Sequence, residues 1–103
     1  MAPSKEKEKL NKTEKQFLGF LMTKSYAWLG VQCITLKLAD DCRYTPDFIS
    51  LDNDGAMTMW EVKGFMRDDA LVKLKVAARN FPMFRFKLVH KENHGWCVEQ
   101  VSS

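Results

Sequence analysis

The stretch Asp52-Asn53-Asp54-Gly55-Ala56 constrains this chain more than any other. Strand-like runs flank it on both sides, "YTPDFISLD" before and "AMTMWEVKGF" after. Asn53-Asp54-Gly55 has the length of a three-residue hairpin loop. Gly55 is placed for the left-handed conformation that closes a type I turn with a bulge. Such a turn pins the register of the strands it joins. If Asp52 pairs with Ala56, then Leu51 faces Met57, Ile49 faces Met59 and Asp47 faces Glu61. Directly opposed residues share a sheet face, and Lys63, two residues beyond Glu61, shares it too. Two acids and a lysine are therefore predicted side by side at one end of a hairpin, on a face that Ile49, Leu51, Met57 and Met59 continue as apolar packing. Trp60 falls on the opposite face and is predicted to pack on a helix.

Elements on either side build a small mixed sheet. "NKTEKQFLGFLMTKSYAWL" reads as a helix whose apolar stripe is Phe17, Leu18, Leu21 and Met22. Its start has two capping-box registers, Thr13 with Gln16 or Asn11 with Glu14. Glu14 lies one turn before Phe17 and Leu18, where an acid also complements the helix dipole. "VQCITLKLAD" alternates as a strand, with Val31, Cys33 or Ile34, Leu36 and Leu38 on its apolar side. After the hairpin, Asp68 or Asp69 caps a second helix, "DDALVKLKVAARNF". Its buried stripe is Leu71, Leu74, Ala78 and Phe81, and Lys75 and Arg79 face outward. Pro82 stops it. "MFRFKLVH" and "GWCVEQV" read as two further strands. The predicted order is α-β-β-β-α-β-β, an α/β (α+β) arrangement in which helices flank a mixed sheet.

The chain has 103 residues, room for one domain. Residues 1–9 are charged and lack an apolar period, which predicts a flexible tail, with the single domain over 10–103. Hydrophobic residues make up 46% of the chain, enough for a core. No apolar run is long enough to span a membrane and the N-terminus lacks an apolar signal segment, so a cytoplasmic location is expected. The odd count of three cysteines, Cys33, Cys42 and Cys97, with no Cys-x-x-Cys spacing, argues against a disulfide framework and a zinc knuckle. His90 and His94 are four apart, but on a strand end and turn, with Cys97 the one further ligand nearby.

The cluster has a chemistry of its own. Two adjacent carboxylates repel, and each is harder to ionise unless a cation shares the site. A salt bridge of Lys63 to Asp47 or Glu61 is the structural explanation, yet buried ion pairs are a poor source of stability. On this view the removal of one acid relieves repulsion and leaves the fold intact. Hard divalent ions suit the arrangement: Mg²⁺ is held by one or two carboxylates together with water and substrate phosphate. Asp47 and Glu61 would hold Mg²⁺ or Mn²⁺, and Lys63 would orient the attacking water and the scissile phosphate.

"TPDF", a hairpin and then "EVKG" resemble the PD-(D/E)xK nuclease superfamily, with Pro46-Asp47 and Glu61-Val62-Lys63 matching its motif position for position. Together "NKTE", "YTPDF", "EVKGF", "DDALVKLKVAA" and "FRFKLV" resemble a family of small phage and prophage proteins long described only as a domain of unknown function. The likeness runs from Leu10 to Val89. It implies a restriction-endonuclease-like αβββαβ core and a metal-dependent DNA endonuclease, acting on branched or recombination DNA in phage or host replication and recombination. It also implies that Glu14 joins Asp47 and Glu61 as a metal ligand, giving Glu14, Asp47, Glu61 and Lys63 as the catalytic set. A non-catalytic nucleic-acid- or protein-binding module on the same fold is the alternative.

Basic residues concentrate between Lys63 and Lys91, a face suited to a phosphate backbone. Arg67, Lys73, Lys75 and Arg79 are the candidate DNA contacts. A chain this short covers little DNA, so a homodimer is expected, formed through Phe20, Tyr26 and Trp28 or through the last strand around Trp96.

Overall fold

The computed structural model describes the backbone of residues 9–63 and 68–102, and the side chains of all but 68–70 among them. Of the predicted tail only Lys9 falls within this range, and it is exposed. Helix α1 spans Lys12–Met22. Of the two capping registers the chain uses Asn11 with Glu14: the Glu14 amide donates to Asn11 Oδ1 and the Asn11 amide to Glu14 Oε1, each at 2.8 Å. Phe17 and Leu21 are fully buried, Leu18 is half-buried and Met22 is exposed.

The helix is shorter than its sequence suggests. Thr23 ends it, its hydroxyl donating to the Phe20 carbonyl at 2.7 Å. The expected helical continuation to Leu29 is instead strand β1, Trp28–Val31. Pairing with the hairpin edge overrides local helix preference here: Ala27 N–H already donates to the Leu51 carbonyl at 2.8 Å, and Trp28, Leu29 and Val31 suit a pleated surface.

Two predicted strands are also each broken in two. Gln32, a non-glycine residue at φ 48°, interrupts the run that was to extend from Val31, and β2 begins only at Leu36, ending at Ala39. β3, Cys42–Tyr44, pairs with β2 as a separate two-stranded sheet. Thr45-Pro46-Asp47 then crosses to the main sheet, where β4 is Phe48–Leu51. Pro46 has no N–H to give a ladder, so the break falls there.

The hairpin register is the one its turn dictates. β4 pairs with β5, Met57–Lys63, through Leu51↔Met57, Ile49↔Met59 and Phe48↔Trp60. Asp52 N–H donates to the Ala56 carbonyl at 2.8 Å, and Gly55 takes the left-handed φ of 92°. Helix α2, Asp68–Asn80, crosses over to β6, Arg85–Glu92, which lies parallel to β5, as a parallel pair requires of its connection. β7, Gly95–Gln100, closes the edge antiparallel. The result is a mixed five-stranded sheet in the order β1-β4-β5-β6-β7 with two helices. The chain order is α-β-β-β-β-β-α-β-β rather than the expected α-β-β-β-α-β-β: most of the predicted first strand goes to the separate β2–β3 hairpin, and β1, two of whose four residues fall in the expected helix, takes its place in the main sheet.

Each sheet face has its own core. Phe17 and Leu21 of α1 pack with Phe48, Trp60, Val62 and Val89. On the other face Leu74 and Ala77 of α2 and Leu36 and Tyr44 of the β2–β3 hairpin pack with Ile49, Met59, Phe86 and Leu88. Trp60 meets a helix as expected, its ring centroid 5.4 Å from that of Phe17. The α2 stripe is centred on Leu74 and Ala77, with Leu71, Ala78 and Phe81 partly buried beside them. The cap expected at Asp68 or Asp69 lies outside the described side chains. Among the described residues, no helix is long and apolar enough to cross a membrane.

Candidate functional site

The sheet brings Asp47 and Glu61 to one place and then treats them differently. Asp47 is fully buried. The β4–β5 ladder ends at Phe48↔Trp60, and beyond it the Asp47 side chain takes over: its Oδ2 accepts from Val62 N–H at 2.8 Å. The Asp47 carbonyl accepts from Gln32 N–H at 3.1 Å on the other side. The aspartate is thus clamped between the bend after β1 and the far end of β5. The break at Pro46 takes Asp47 out of the regular ladder, and its carboxylate acts as a strand terminator.

Glu61 is half-buried, on the face shared with Met59 and the α2 core. Its Oε1 accepts from the Tyr44 hydroxyl at 2.8 Å. Tyr44 is itself buried, and that burial raises its pKa well above the usual phenol value. The negative charge of Glu61, its hydrogen bond to Glu61 and the charge of Asp47 push the same way. The phenol therefore stays protonated and remains a donor. The Thr35 and Thr45 hydroxyls lie 2.7 Å apart, tying together the two ends of the inserted hairpin that carries Tyr44. Lys63, the last residue of β5, is half-buried and lies on the Glu61 face by strand alternation, in register with His90 of β6.

The Val62 amide on Asp47 Oδ2 and the Tyr44 hydroxyl on Glu61 Oε1 orient the two carboxyl groups. An all-oxygen carboxyl pair suits a hard divalent cation such as Mg²⁺ better than a soft metal. The burial of Asp47 and the clamp on Val62 also correct one expectation. Asp47 is part of the sheet's hydrogen bonding, so its removal to alanine does not leave the fold untouched.

Glu14 sits at the first turn of α1, and its carboxylate closes the capping box. That places it on the helix covering the Phe48–Trp60–Val62 face, opposite the face that carries Glu61 and Lys63, so the fold does not itself bring Glu14 beside the two acids. Lys73, Lys75 and Arg79 are exposed along α2. Arg67 lies outside the described residues. Trp96, expected at the surface, is half-buried and packs edge-on against Phe17 with centroids 5.0 Å apart, so it belongs to the α1 core. Phe20 and Trp28 keep about two-fifths of their surface exposed, at 36% and 43%.

A second group of metal-type donors lies on the β6–β7 hairpin: His90, Glu92 and Cys97, whose donor atoms lie within 4.8 Å of one another. His94 is on the turn and takes no part in it. Glu92 is well exposed and the His90–Glu92 contact is 3.3 Å, an arrangement that surface hairpins form without an ion.

The Tyr44–Glu61 bond, the Asp47–Val62 bond and the Gln32 bend were invisible in the sequence, because all three join segments whose relative placement depends on where the strands break. The proline of "YTPDF" was the signal for the Asp47 break. Comparison with protein-family models, with curated proteins and with solved structures gives no match.

Proposed function

We propose that this protein is a metal-dependent endonuclease of the PD-(D/E)xK type that hydrolyses phosphodiester bonds in DNA. The observation that supports the reading is that Asp47 and Glu61 lie together beside Tyr44, each oriented by a hydrogen bond, with Lys63 on the Glu61 face of β5. A structural salt bridge has no use for a second acid, a buried tyrosine dedicated to one of the acids and a strand broken to place the other.

In this reading Asp47 and Glu61 hold Mg²⁺ or Mn²⁺. A divalent ion bound there lowers the pKa of water and offsets charge on a phosphoryl oxygen. Tyr44 keeps the Glu61 carboxylate in one rotamer. Lys63 orients the attacking water and donates to the scissile phosphate. The exposed Lys73, Lys75 and Arg79 of α2 contact the phosphate backbone on the solvent side of the helix, and their contribution should weaken steeply with salt. Two copies acting on one duplex would cut both strands, and a substrate with two-fold character, such as branched DNA, fits that assembly.

Purified protein incubated with supercoiled, linear, single-stranded and four-way-junction DNA, with Mg²⁺, Mn²⁺ or EDTA, tests the proposal. Cleavage of at least one substrate with metal and none in EDTA is expected. Failure to cut any of them with either metal would leave the fold as a binding module.

A further inference from the structure

The β6–β7 hairpin carries a group of donors that the acidic pair does not use. His90 and Glu92 are two apart on β6 and share a sheet face, and Cys97 of β7 lies directly opposite His90. The donor atoms of the three lie within 4.8 Å of one another. Sequence spacing offers His94 as the partner of His90; the hairpin sets Glu92 there instead. Gly95, opposite Glu92, brings no side chain, and a Cβ there would meet nothing within 4 Å, so the space beside the carboxylate is open. The His90 ring has a definite direction: Nδ1 is buried and Nε2 is turned to Glu92 Oε2 at 3.3 Å. A His–Glu contact alone needs no ion. A thiol brought to the same place adds little as a hydrogen-bond partner and much as a ligand, because its thiolate binds metals.

We infer that His90 Nε2, a Glu92 carboxylate oxygen and Cys97 Sγ form a site for a transition-metal ion of the Zn²⁺ class, with water in the fourth position. Ligand atoms about 2.0–2.3 Å from a tetrahedral Zn²⁺ lie about 3.3–3.6 Å from one another. The His90–Glu92 contact already has that separation. The widest pair of donors needs to close by about 1 Å, which a side-chain rotation supplies. Mixed nitrogen, oxygen and sulfur donors suit Zn²⁺ and not Mg²⁺, so the site differs in chemistry from the all-oxygen pair of Asp47 and Glu61. Binding releases the Cys97 thiol proton to water. Thiolate and carboxylate then cancel the charge of the dication, which keeps the site neutral beside Lys63, in register with His90 on the next strand. The bound ion cross-links β6 to the edge strand β7. The inference stands apart from the nuclease reading.

Reduced, untagged protein titrated with Co²⁺, a spectroscopic stand-in for Zn²⁺, tests this. Wild type should develop a thiolate-to-metal charge-transfer band that added Zn²⁺ abolishes, and Zn²⁺ should raise its melting temperature. Cys97→Ser should lose the band, while Cys33→Ser and Cys42→Ser keep it. Glu92→Gln changes an exposed side chain and should melt as wild type does without metal. It and His90→Gln should bind Co²⁺ at least about 10-fold more weakly, since even the outer partners of a metal site are worth that much. In unsubstituted protein, Zn²⁺ should slow the alkylation of Cys97 by iodoacetamide, a readout that needs no variant. Absence of the band in wild type, its survival in Cys97→Ser, or alkylation of Cys97 at the same rate with and without Zn²⁺ overturns the inference. Undiminished affinity in both Glu92→Gln and His90→Gln also overturns it, because the ion then sits on a lone thiol.

Discussion

Replacing Asp47 by alanine removes the acceptor of the Val62 amide at a fully buried position. A buried N–H left without a partner costs about 1–3 kcal/mol. For a domain of about 100 residues each kcal/mol moves the melting temperature by about 4–8 °C, so at about 2 kcal/mol Asp47→Ala should melt about 8–16 °C below wild type. Asp47→Asn keeps a side-chain oxygen that accepts the same bond, though a neutral acceptor makes a bond roughly half as strong as a charged one. It should lose about half as much stability while losing the charge that holds a cation. Calorimetry gives the two melting temperatures, and amide hydrogen exchange at Val62 reads the bond itself, with protection lost in Asp47→Ala and largely kept in Asp47→Asn. Equal stability of Asp47→Ala and wild type, or unaltered exchange at Val62 in the alanine variant, would refute the role of this carboxylate as a strand terminator.

Further outcomes follow from the same geometry. Tyr44 has a pKa raised above 10 by burial and by Glu61, so its contribution to stability is complete below pH 10 and declines as the pH rises above it. Urea unfolding from pH 9 to 11 should show that decline in wild type and a shallower one in Tyr44→Phe, the remainder belonging to Tyr26, which shifts the same way through burial and Asp52. Glu14→Gln preserves the capping box, since glutamine also serves at that position, and should leave stability within about 0.5 kcal/mol while slowing cleavage by orders of magnitude if Glu14 binds the ion; full activity would remove it from the site. Sedimentation at micromolar concentration should find a dimer through the surface around Phe20 and Trp28, and a monomer both alone and with DNA bound would refute that assembly.

Those parts of the fold governed by a few local residues could be read from the sequence. The Asn53-Asp54-Gly55 turn set the β4–β5 register, and Asn11 with Glu14 set the start of α1. Breaks that depend on distant pairing could not. Trp28 and Leu29 read as the end of the helix, because the β4 edge that recruits them is formed some twenty residues later. The same holds for the insertion of β2–β3, which carries Tyr44 to Glu61. Asp47 and Glu61 were legible as neighbours, both close enough to Tyr44 to act on its hydroxyl, because a hairpin of known register carries them, and Lys63 follows on the Glu61 face of β5 by alternation. Their supports were not, because Val62, Tyr44 and Gln32 reach the acids through the backbone ladder, a separate hairpin and a strained bend.

Cleavage of supercoiled DNA by wild type and by Lys63→Ala, side by side in Mg²⁺ and in EDTA, with Mn²⁺ binding to each protein measured in parallel, bears most directly on the proposed chemistry. Wild type should cut in Mg²⁺ only, and Lys63→Ala should bind the ion as wild type does but no longer cut. Cutting that persists in EDTA, or a Lys63→Ala protein that cuts at the wild-type rate, would contradict it.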